Sequence, residues 1–279
     1  MKVITVLNFK GGVGKTETSK NIAKGLANLN KKVLVIDNDP QSNTTKMLKK
    51  EDKIVDLVKD CNNIKDLTER LLNNQNELTL SDLYLDPSKI LNAIVKTDVD
   101  NLDLIPCSLR LANTEKQIKD DSTKPQHNRI KQMLRRIEDI YDYVIIDSAP
   151  SLNLLTINSL VATTENVIIP IKIDTAGLQG YAMTVDMIEQ LNNGFNLNLD
   201  YKILFTMVQK TSGGWLKECN TIINKMYEIL PKENIYNTII RNQNKAVVNA
   251  GFTGTYVIDN DSKVGEDYKN LVNELLEVR

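Results

Sequence analysis

The stretch Lys10-Gly11-Gly12-Val13-Gly14-Lys15-Thr16 follows the apolar run Val3–Leu7 and precedes a helix-like run that begins at Ser19. A glycine-rich turn between a strand and a helix allows backbone N–H groups to converge on a phosphate, and the helix N-terminus adds partial positive charge. Lys15 adds a full positive charge, and Thr16 supplies the hydroxyl that such loops use on Mg²⁺. The stretch therefore predicts a phosphate-binding loop.

The loop departs from the common pattern G-x-x-x-x-G-K-[ST] at its first position. Phe9 stands where that pattern has glycine, and Gly11 and Gly12 lie further in, preceded by a second lysine, Lys10. A glycine turn that only caps a helix is the alternative. Three glycines and a lysine within seven residues, placed between a strand and a helix, favour a variant phosphate loop.

Short apolar runs alternate with helical stretches along the rest of the chain. Runs such as Val33–Ile36 and Val144–Ile146 are continuously apolar, as is typical of strands buried on both faces of a parallel sheet. The sequence thus predicts an α/β fold with a doubly wound, mostly parallel sheet flanked by helices, whose ligand lies outside the carboxyl ends of the strands. The predicted strands are Val3–Leu7, Val33–Asp37, Leu102–Pro106, Tyr143–Asp147, Val167–Ile171, Ile203–Val208 and Ile235–Ile240.

The 279 residues are predicted to form a single domain, 1–279, with a helical excursion at about 49–100 on its edge. Within the excursion, Ile54, Leu57 and Val58 have helical spacing. Near the C-terminus, an apolar helical stripe is flanked by acidic residues, which favours packing on the sheet over a membrane surface. The stripe consists of Leu271, Val272, Leu275 and Leu276.

Composition restricts the environment and the partners. The net charge is −1, so nucleic-acid binding would need a local basic patch. The three cysteines, Cys61, Cys107 and Cys219, are widely spaced, which favours a reduced, cytoplasmic protein over a disulfide framework or a zinc site. Neither a signal peptide nor an apolar run of membrane-spanning length is seen in the sequence, so we expect a cytoplasmic protein without a membrane partner.

Aspartates follow two of the apolar runs. Asp37 and Asp39 close the second predicted strand, and Asp147 closes the fourth. A carboxylate after a buried strand is costly unless it is paired, hydrogen-bonded or near a metal, although a helix cap or turn is an alternative for each one alone. Beside a phosphate loop, Asp147 is predicted to lie in a metal shell, with Asp37 and Asp39 as candidates for water positioning and metal support.

Three motifs together resemble the ParA family of DNA-partition ATPases, in the deviant-Walker branch of P-loop proteins that also holds MinD and the nitrogenase iron protein. They are the Lys10–Thr16 loop, the segment Asp37-Asn38-Asp39-Pro40-Gln41-Ser42-Asn43 and the segment Ile146-Asp147-Ser148-Ala149-Pro150. The similarity covers nearly the whole chain. The loop is specific for the branch, and the Asp-Pro-Gln segment points to ParA within it.

The resemblance implies a homodimer that holds ATP and Mg²⁺ between its subunits and hydrolyses ATP slowly until a partner stimulates it. Lys10 would reach the partner's nucleotide, Lys15 would hold the β- and γ-phosphates, and Asp39 would orient the attacking water. Thr16, Asp37 and Asp147 would form the metal site. The implied nucleotide-binding residues are Lys10, Gly11, Gly12, Val13, Gly14, Lys15, Thr16 and Glu17.

Glu17 and His127 carry side chains that could bear on the site. Family members often have a second Thr where this chain has Glu17; its carboxylate would repel the α-phosphate, so we expect the side chain to turn away. His127 lies in a polar segment, and we expect an exposed loop histidine rather than a catalytic base. Phosphoryl transfer depends on positioning and charge neutralisation more than on a strong base.

The resemblance also implies binding of ATP-loaded dimers to DNA without sequence preference, through basic residues of the C-terminal third. The matching positions are Lys210, Arg241 and Lys245, with solvated surface residues as the alternative. Trp215 is expected to anchor its helix rather than stack on a base. Because the loop begins at residue 10, an N-terminal helix-turn-helix domain and sequence-specific DNA reading are not expected.

Three functions stay open at this point. The first is a DNA-partition ATPase that is nucleoid-associated and works with a centromere-binding, ParB-like protein. The second is a MinD-like membrane-cycling ATPase, against which the acidic flanks of the C-terminal stripe argue. The third is a metallocluster or amidotransfer enzyme on the same scaffold; the positions of Cys107 and Cys219 do not match a cluster bridged between subunits.

Overall fold

The apolar runs form the strands of one twisted sheet. The computed structural model describes residues 1–49, 61–67, 77–121, 125–211 and 214–277. Within that part of the chain, seven strands pair in the order β3-β4-β2-β5-β1-β6-β7, and only the edge strand β3 is antiparallel to its neighbour. The strands are β1 Lys2–Val6, β2 Val33–Asn38, β3 Val95–Lys96, β4 Leu102–Ile105, β5 Tyr143–Ser148, β6 Val167–Lys172 and β7 Tyr201–Thr206.

Helices cover both faces of the sheet. They are α1 Lys15–Asn28, α2 Asn43–Lys49, α3 Leu80–Leu85, α4 Ile90–Ala93, α5 Leu111–Asp120, α6 Arg129–Leu134, α7 Leu154–Ala162, α8 Thr175–Phe195, α9 Lys217–Ile229, α10 Asn244–Thr253 and α11 Lys263–Glu277. A small hairpin, β8 Lys210–Thr211 with β9 Gly214–Trp215, follows β7. Short 3₁₀ turns lie at Pro87–Lys89, Lys232–Asn234 and Val257–Asp259.

Strand β2 is buried on both faces, which explains why its sequence is continuously apolar. Val33 and Val35 face a core cluster that includes residues of α1 and α11, whereas Leu34 and Ile36 face a cluster on the opposite side of the sheet with residues of α3, α5 and α6. Successive side chains of a strand point to opposite faces, so a central strand covered on both sides needs apolar residues at every position. The predicted doubly wound α/β fold, with a mostly parallel sheet, is confirmed.

Polar side chains begin the helices that start close to the carboxyl edge of the sheet. Asn153 accepts a hydrogen bond from the Thr156 N–H at the start of α7, and Asp174 accepts one from the Gly177 N–H at the start of α8. Such caps satisfy the free N–H groups of the first helical turn. They determine where α7 and α8 begin, close to the carboxyl edge of the sheet, where the phosphate loop also lies.

The predicted strand Ile235–Ile240 is wrong. Only single bridges join this segment to β7 and its continuation, Ile203 with Ile235 and Val208 with Arg241. The Glu274 carboxylate of α11 accepts hydrogen bonds from the N–H groups of two residues in the middle of the segment, Asn237 and Thr238. A side chain thus binds two of the donors that a continuous ladder would use, although Ile235, Tyr236 and Ile240 of the segment are buried.

The excursion at 49–100 is helical where the structure describes it, with α3 and α4, and it ends in β3, which the sequence did not predict. The positions Ile54, Leu57 and Val58 lie outside the described residues. That residues 1–279 form a single domain stays a prediction.

The C-terminal stripe is packed inside the protein. Leu271, Val272 and Leu275 of α11 are buried in the same cluster as Leu26 of α1. Gly25 allows the close approach of the two helices, because a Cβ atom at that position would lie 2.6 Å from Cγ2 of Val272. Of the helices in the described ranges, none combines the length and the apolar character needed to cross a membrane.

Candidate functional site

The glycine-rich loop connects β1 to α1 at the carboxyl edge of the sheet. Gly12 and Gly14 have φ angles of 75° and 85°, a region that favours glycine, and α1 begins at Lys15 directly after Gly14. The Thr206 hydroxyl at the end of β7 donates to the Val13 carbonyl at 2.8 Å. This hydrogen bond therefore holds the loop against the carboxyl end of β7.

Asn8 holds the other end of the loop. Its side chain donates to the Pro170 carbonyl of β6 and accepts from the Lys10 N–H, both at 2.8 Å. Gly180 of α8 lies directly against this contact, because a Cβ there would be 2.1 Å from Asn8 Oδ1. Neither Asn8 nor Gly180 was identified from sequence, since both act through residues distant along the chain.

Lys15 is a buried cation. Its ammonium group donates to the Lys10 carbonyl at 3.1 Å, and the side chain lies near the carboxylates of Asp147 and Asp39. Burial lowers the pKa of Lys15, and those two carboxylates partly oppose the shift. A cation held in a glycine loop at a helix N-terminus has the chemistry to bind a phosphate.

Asp147, at the end of β5, accepts three hydroxyl hydrogen bonds. Thr16 and Thr44 donate to one carboxylate oxygen at 2.8 Å and 2.5 Å, and Ser19 donates to the other at 3.1 Å. Burial raises the pKa of Asp147, and the hydroxyls together with Lys15 counter this. The structure thus brings the predicted residues Thr16 and Asp147 into direct contact.

Asp37 lies beside Asp147, since the two residues are register partners on adjacent strands. Its carboxylate accepts from the N–H and the hydroxyl of Thr45, both at 2.7 Å. Complete burial, and secondly the Asp147 carboxylate, raise the pKa of Asp37 to about 7. Two adjacent buried carboxylates provide a site that a divalent cation would stabilise.

Asp39 is half-buried at the start of the turn that follows β2. Its side chain accepts from the Gln41 N–H at 2.9 Å, and its carbonyl accepts from the Ser42 N–H at 2.8 Å. The Asp39 N–H donates to Asp37 at 3.3 Å. Asp39 therefore lies at the open side of the site, and its position depends on the conformation of this turn.

The donor set fits Mg²⁺. Hydroxyl and carboxylate oxygens are the ligands that Mg²⁺ uses, usually one or two from the protein together with phosphate and water. Thr16 Oγ1 and Asp147 Oδ2 are within 2.8 Å of each other beside the loop, with Asp37 behind them. These three are the residues predicted from sequence as the metal site.

Lys10 and Glu17 have different surroundings. Lys10 is exposed at the tip of the loop. The Glu17 carboxylate accepts from the Asn21 side chain at 2.6 Å and pairs with Lys20 at 3.0 Å, so it runs along α1. Glu17 thus points away from the loop, as its charge led us to expect.

The candidate DNA-binding residues follow the carboxyl end of β7. Lys210 and Lys245 are exposed, and the Lys210 ammonium lies 5.1 Å from the centre of the Trp215 ring. The Arg241 guanidinium is bound by Asp267 through two hydrogen bonds of 2.7 Å and 2.6 Å, an ion pair that raises the pKa of Arg241. Arg241 is therefore the least accessible charge of the three.

His127 is half-buried rather than exposed, because its ring packs against Phe195 with 4.6 Å between ring centres. Of the cysteines, Cys107 is buried and Cys61 and Cys219 are partly exposed. None of the contacts described for the site involves these four residues' side chains.

Comparison with known proteins gives consistent matches. A family model described as an AAA domain matches residues 1–201. The sporulation initiation inhibitor protein Soj of Bacillus subtilis is 31% identical over 277 residues, covering 98% of each chain. The chromosome partitioning protein ParA of Caulobacter vibrioides is 30% identical over 213 residues, covering 75% of this chain and 71% of that protein.

Solved structures share the fold. A complex of a Cyanothece McdA variant with ATP superposes with a TM-score of 0.81 at 22% identity, covering 100% of this chain and 97% of the other. Cobyrinic acid a,c-diamide synthase from Mycobacterium smegmatis, with bound ATP analogue and magnesium, has a TM-score of 0.74 at 23% identity, covering 99% and 94%. At these identities the likeness concerns the fold alone.

Proposed function

Because the chain belongs to the ParA family of partition ATPases, we propose that it is an ATP-dependent DNA-partition ATPase that dimerises on ATP and binds DNA without sequence preference. We further propose that a centromere-binding, ParB-like protein stimulates its hydrolysis and that the protein is cytoplasmic and associated with the nucleoid. The observation that carries the proposal is the contact between Thr16 and Asp147 at the end of the phosphate loop.

Lys15 and the loop N–H groups provide the phosphate site in this proposal. The left-handed glycines give the loop its shape, and the positive end of α1 faces the bound anion. Mg²⁺, when bound, would neutralise charge on the phosphates. Thr16 and Asp147 would hold the ion, and Asp37 would support them from the adjacent strand.

Asp39 positions the attacking water. This role is supported by its partial exposure outside the buried pair of Asp37 and Asp147, and by the turn hydrogen bond that occupies only one of its carboxylate oxygens. A residue that orients water need not be a strong base in phosphoryl transfer. The exposed Lys10 would contact the nucleotide of a second subunit and stabilise charge in the transition state, a role that its exposure at the tip of the loop supports.

DNA contacts are assigned to Lys210 and Lys245, with Arg241 as a third candidate that would have to share its charge with Asp267. Exposed lysines bind backbone phosphates without reading sequence. A MinD-like membrane cycle receives no support from α11, because the apolar face of this helix is buried against α1.

The proposal is tested by measuring size and DNA affinity with three nucleotide states. Multi-angle light scattering and fluorescence anisotropy on an arbitrary duplex would be run with ATP, with ADP and without nucleotide. We expect a dimer and DNA binding with ATP only, and the Lys15→Ala variant should behave as the nucleotide-free protein. Equal DNA affinity in all three states would refute the partition function, and binding to liposomes with ATP would favour the membrane cycle.

A further inference from the structure

Helix α3 is fixed to the carboxyl edge of the sheet. Its first N–H group, that of Leu80, donates to the Pro106 carbonyl after β4 at 2.8 Å. Thr79 and Asp82 form a reciprocal capping box at its start, and Arg110 of the adjoining segment donates to Asp82 at 2.9 Å. This helix, which lies in the excursion, is therefore part of the wall behind the site.

Tyr84 of α3 reaches the residue between the two site aspartates. Its hydroxyl donates to the Asn38 side-chain oxygen at 3.1 Å, and both residues are 1% exposed or less. Burial raises the pKa of Tyr84 well above its usual value, so the phenol keeps its proton and acts as a donor. Asn38 is the last residue of β2, between Asp37 and Asp39.

The direction of the Asn38 amide is determined by its other partners. Its NH₂ group donates to the Leu155 carbonyl at 2.9 Å and to the Ser159 hydroxyl at 2.7 Å, both in α7. Because a carbonyl can only accept, the amide nitrogen must face α7 and the oxygen must face Tyr84. Asn38 thus joins α3 and α7 across the end of β2 with its amide hydrogen bonds satisfied.

Arg129 holds the backbone of Tyr84. Its guanidinium donates to the Tyr84 carbonyl at 2.8 Å and to the Asp121 carboxylate at 3.1 Å, and the residue is 1% exposed. The backbone of Tyr84 is therefore held by a contact that does not involve Asn38. Tyr84 thus has an anchor of its own from which its hydroxyl can hold the Asn38 side chain.

Packing alone does not require the buried hydrogen bond between Tyr84 and Asn38. A buried polar pair is favourable only when its hydrogen bonds are complete, and two apolar residues of similar size would pack there without that condition. Complete polar networks fix one arrangement more sharply than apolar packing does. At this place the arrangement that is fixed is the end of β2, from which the turn with Asp39 departs.

We propose that Tyr84 is a positioning residue, which holds Asn38 and thereby the turn that carries the water-orienting carboxylate of Asp39. The proposal rests on the proposed function for its effect on hydrolysis, and it assigns a role to the described part of the excursion. Loss of the Tyr84 hydroxyl leaves the Asn38 oxygen buried without a donor, and the relaxation that relieves it displaces the turn.

The test compares Tyr84→Phe with Tyr141→Phe. Tyr141 is also buried, and it also donates to a strand residue, Asp103 of β4, at 2.7 Å. It precedes β5, so it lies at the amino ends of the parallel strands, away from the site. We expect Tyr84→Phe to lower kcat about tenfold while KM for ATP changes less than about twofold. Tyr141→Phe should keep the wild-type kcat, and Asn38→Ala combined with Tyr84→Phe should be no slower than Asn38→Ala alone.

Hydrogen exchange gives a second measurement that is independent of activity. In the nucleotide-free protein, the amides of Asp39, Gln41 and Ser42 form the hydrogen bonds of the turn. Tyr84→Phe should speed their exchange about tenfold, and Tyr141→Phe should leave it unchanged. Wild-type exchange in Tyr84→Phe overturns the proposal. A wild-type protein that does not hydrolyse ATP would contradict the proposed function, while the exchange rates would still decide the role of Tyr84.

Discussion

At the scale of single residues, the three aspartates of the site have different surroundings. Asp147 accepts three hydroxyl hydrogen bonds, and Asp37 is held by both donors of Thr45. Asp39 is half-buried and bonded mainly within its own turn. These surroundings fit the proposed roles, a cation held by the first two aspartates and a water molecule oriented by Asp39.

The Asp39→Ala variant tests this division of roles. Because the buried pair Asp37–Asp147 and the loop are untouched, we expect the variant to bind ATP and dimerise as the wild type does. Hydrolysis should fall about a hundredfold, since an oriented nucleophile is lost while binding groups remain. The measurement is phosphate release at saturating ATP, together with the dimer fraction by light scattering. Normal hydrolysis in this variant would show that the water is oriented by another residue.

Sequence could name candidate residues where the signal lies within one motif. Lys15, Thr16 and Asp147 were found from sequence because phosphate and metal chemistry requires those residue types after a strand. Thr44, Asn8 and Tyr84 were missed. Each acts through a contact with a residue far away in sequence, as in the hydrogen bond from Thr44 to Asp147, and ordinary polar residues carry no motif that announces such a contact.

At the scale of elements, the loop depends on the close approach of α8. Gly180 permits it, because its missing side chain leaves space for Asn8 and the backbone of Lys10, whose nitrogen would be 2.9 Å from a Cβ atom. A helix with any other residue at this point would displace the start of the loop. The geometry of the phosphate site is thus determined partly by an element that contributes no ligand to it.

The Gly180→Ala variant is expected to weaken ATP binding about tenfold, since the added methyl group displaces the Asn8 contact and with it the loop. Gly194→Ala is the matched control in the same helix. A Cβ atom there meets nothing within 4 Å, so this variant should keep ATP affinity and gain up to about 1 kcal/mol of stability. Titration with a fluorescent ATP analogue gives both affinities. Equal affinity of the two variants would show that the approach of α8 does not shape the loop.

The prediction of helices and strands also depended on local signals and missed the effect of residues that are distant in sequence. Strands β2 and β5 were identified because continuous apolar residues at a buried strand are a local signal. The segment 235–240 also contains apolar residues but is not a strand, because Glu274, more than thirty residues later, binds the N–H groups of Asn237 and Thr238 in its middle. Strand β3 has only two residues, too few to show the alternation of apolar and polar residues by which a strand is recognised.

At the scale of the whole molecule, a net charge of −1 means that DNA binding must come from a few local charges. Lys210 and Lys245 both follow β7, on segments that the bridge between Val208 and Arg241 brings together. Dimerisation would present two copies of this small patch to one duplex. Such doubling converts weak single contacts into useful affinity without sequence reading.

We expect Lys210→Ala and Lys245→Ala each to weaken DNA binding by the ATP-loaded protein. Each should also reduce the slope of log affinity against log salt by about 1 for every DNA phosphate that the variant no longer neutralises. Lys225→Ala is the control, since Lys225 is an exposed lysine of α9 that pairs with Glu228. Anisotropy titrations at several salt concentrations provide the slopes. A slope that changes as much in the control as in the two variants would remove these lysines from the DNA interface.

In the proposed dimer, two copies of the chain complete one another's ATP site, with Lys10 contacting the partner's nucleotide. Mixing Lys10→Ala with Asp39→Ala tests this arrangement. In the mixed dimer, the site of the Lys10→Ala subunit keeps its own Asp39 and receives Lys10 from the other subunit, so one site of the two is intact. We predict that two nearly inactive variants together regain about a quarter of wild-type hydrolysis, since half of the dimers are mixed. Hydrolysis that stays at the sum of the two separate variants would show that Lys10 does not act across the dimer.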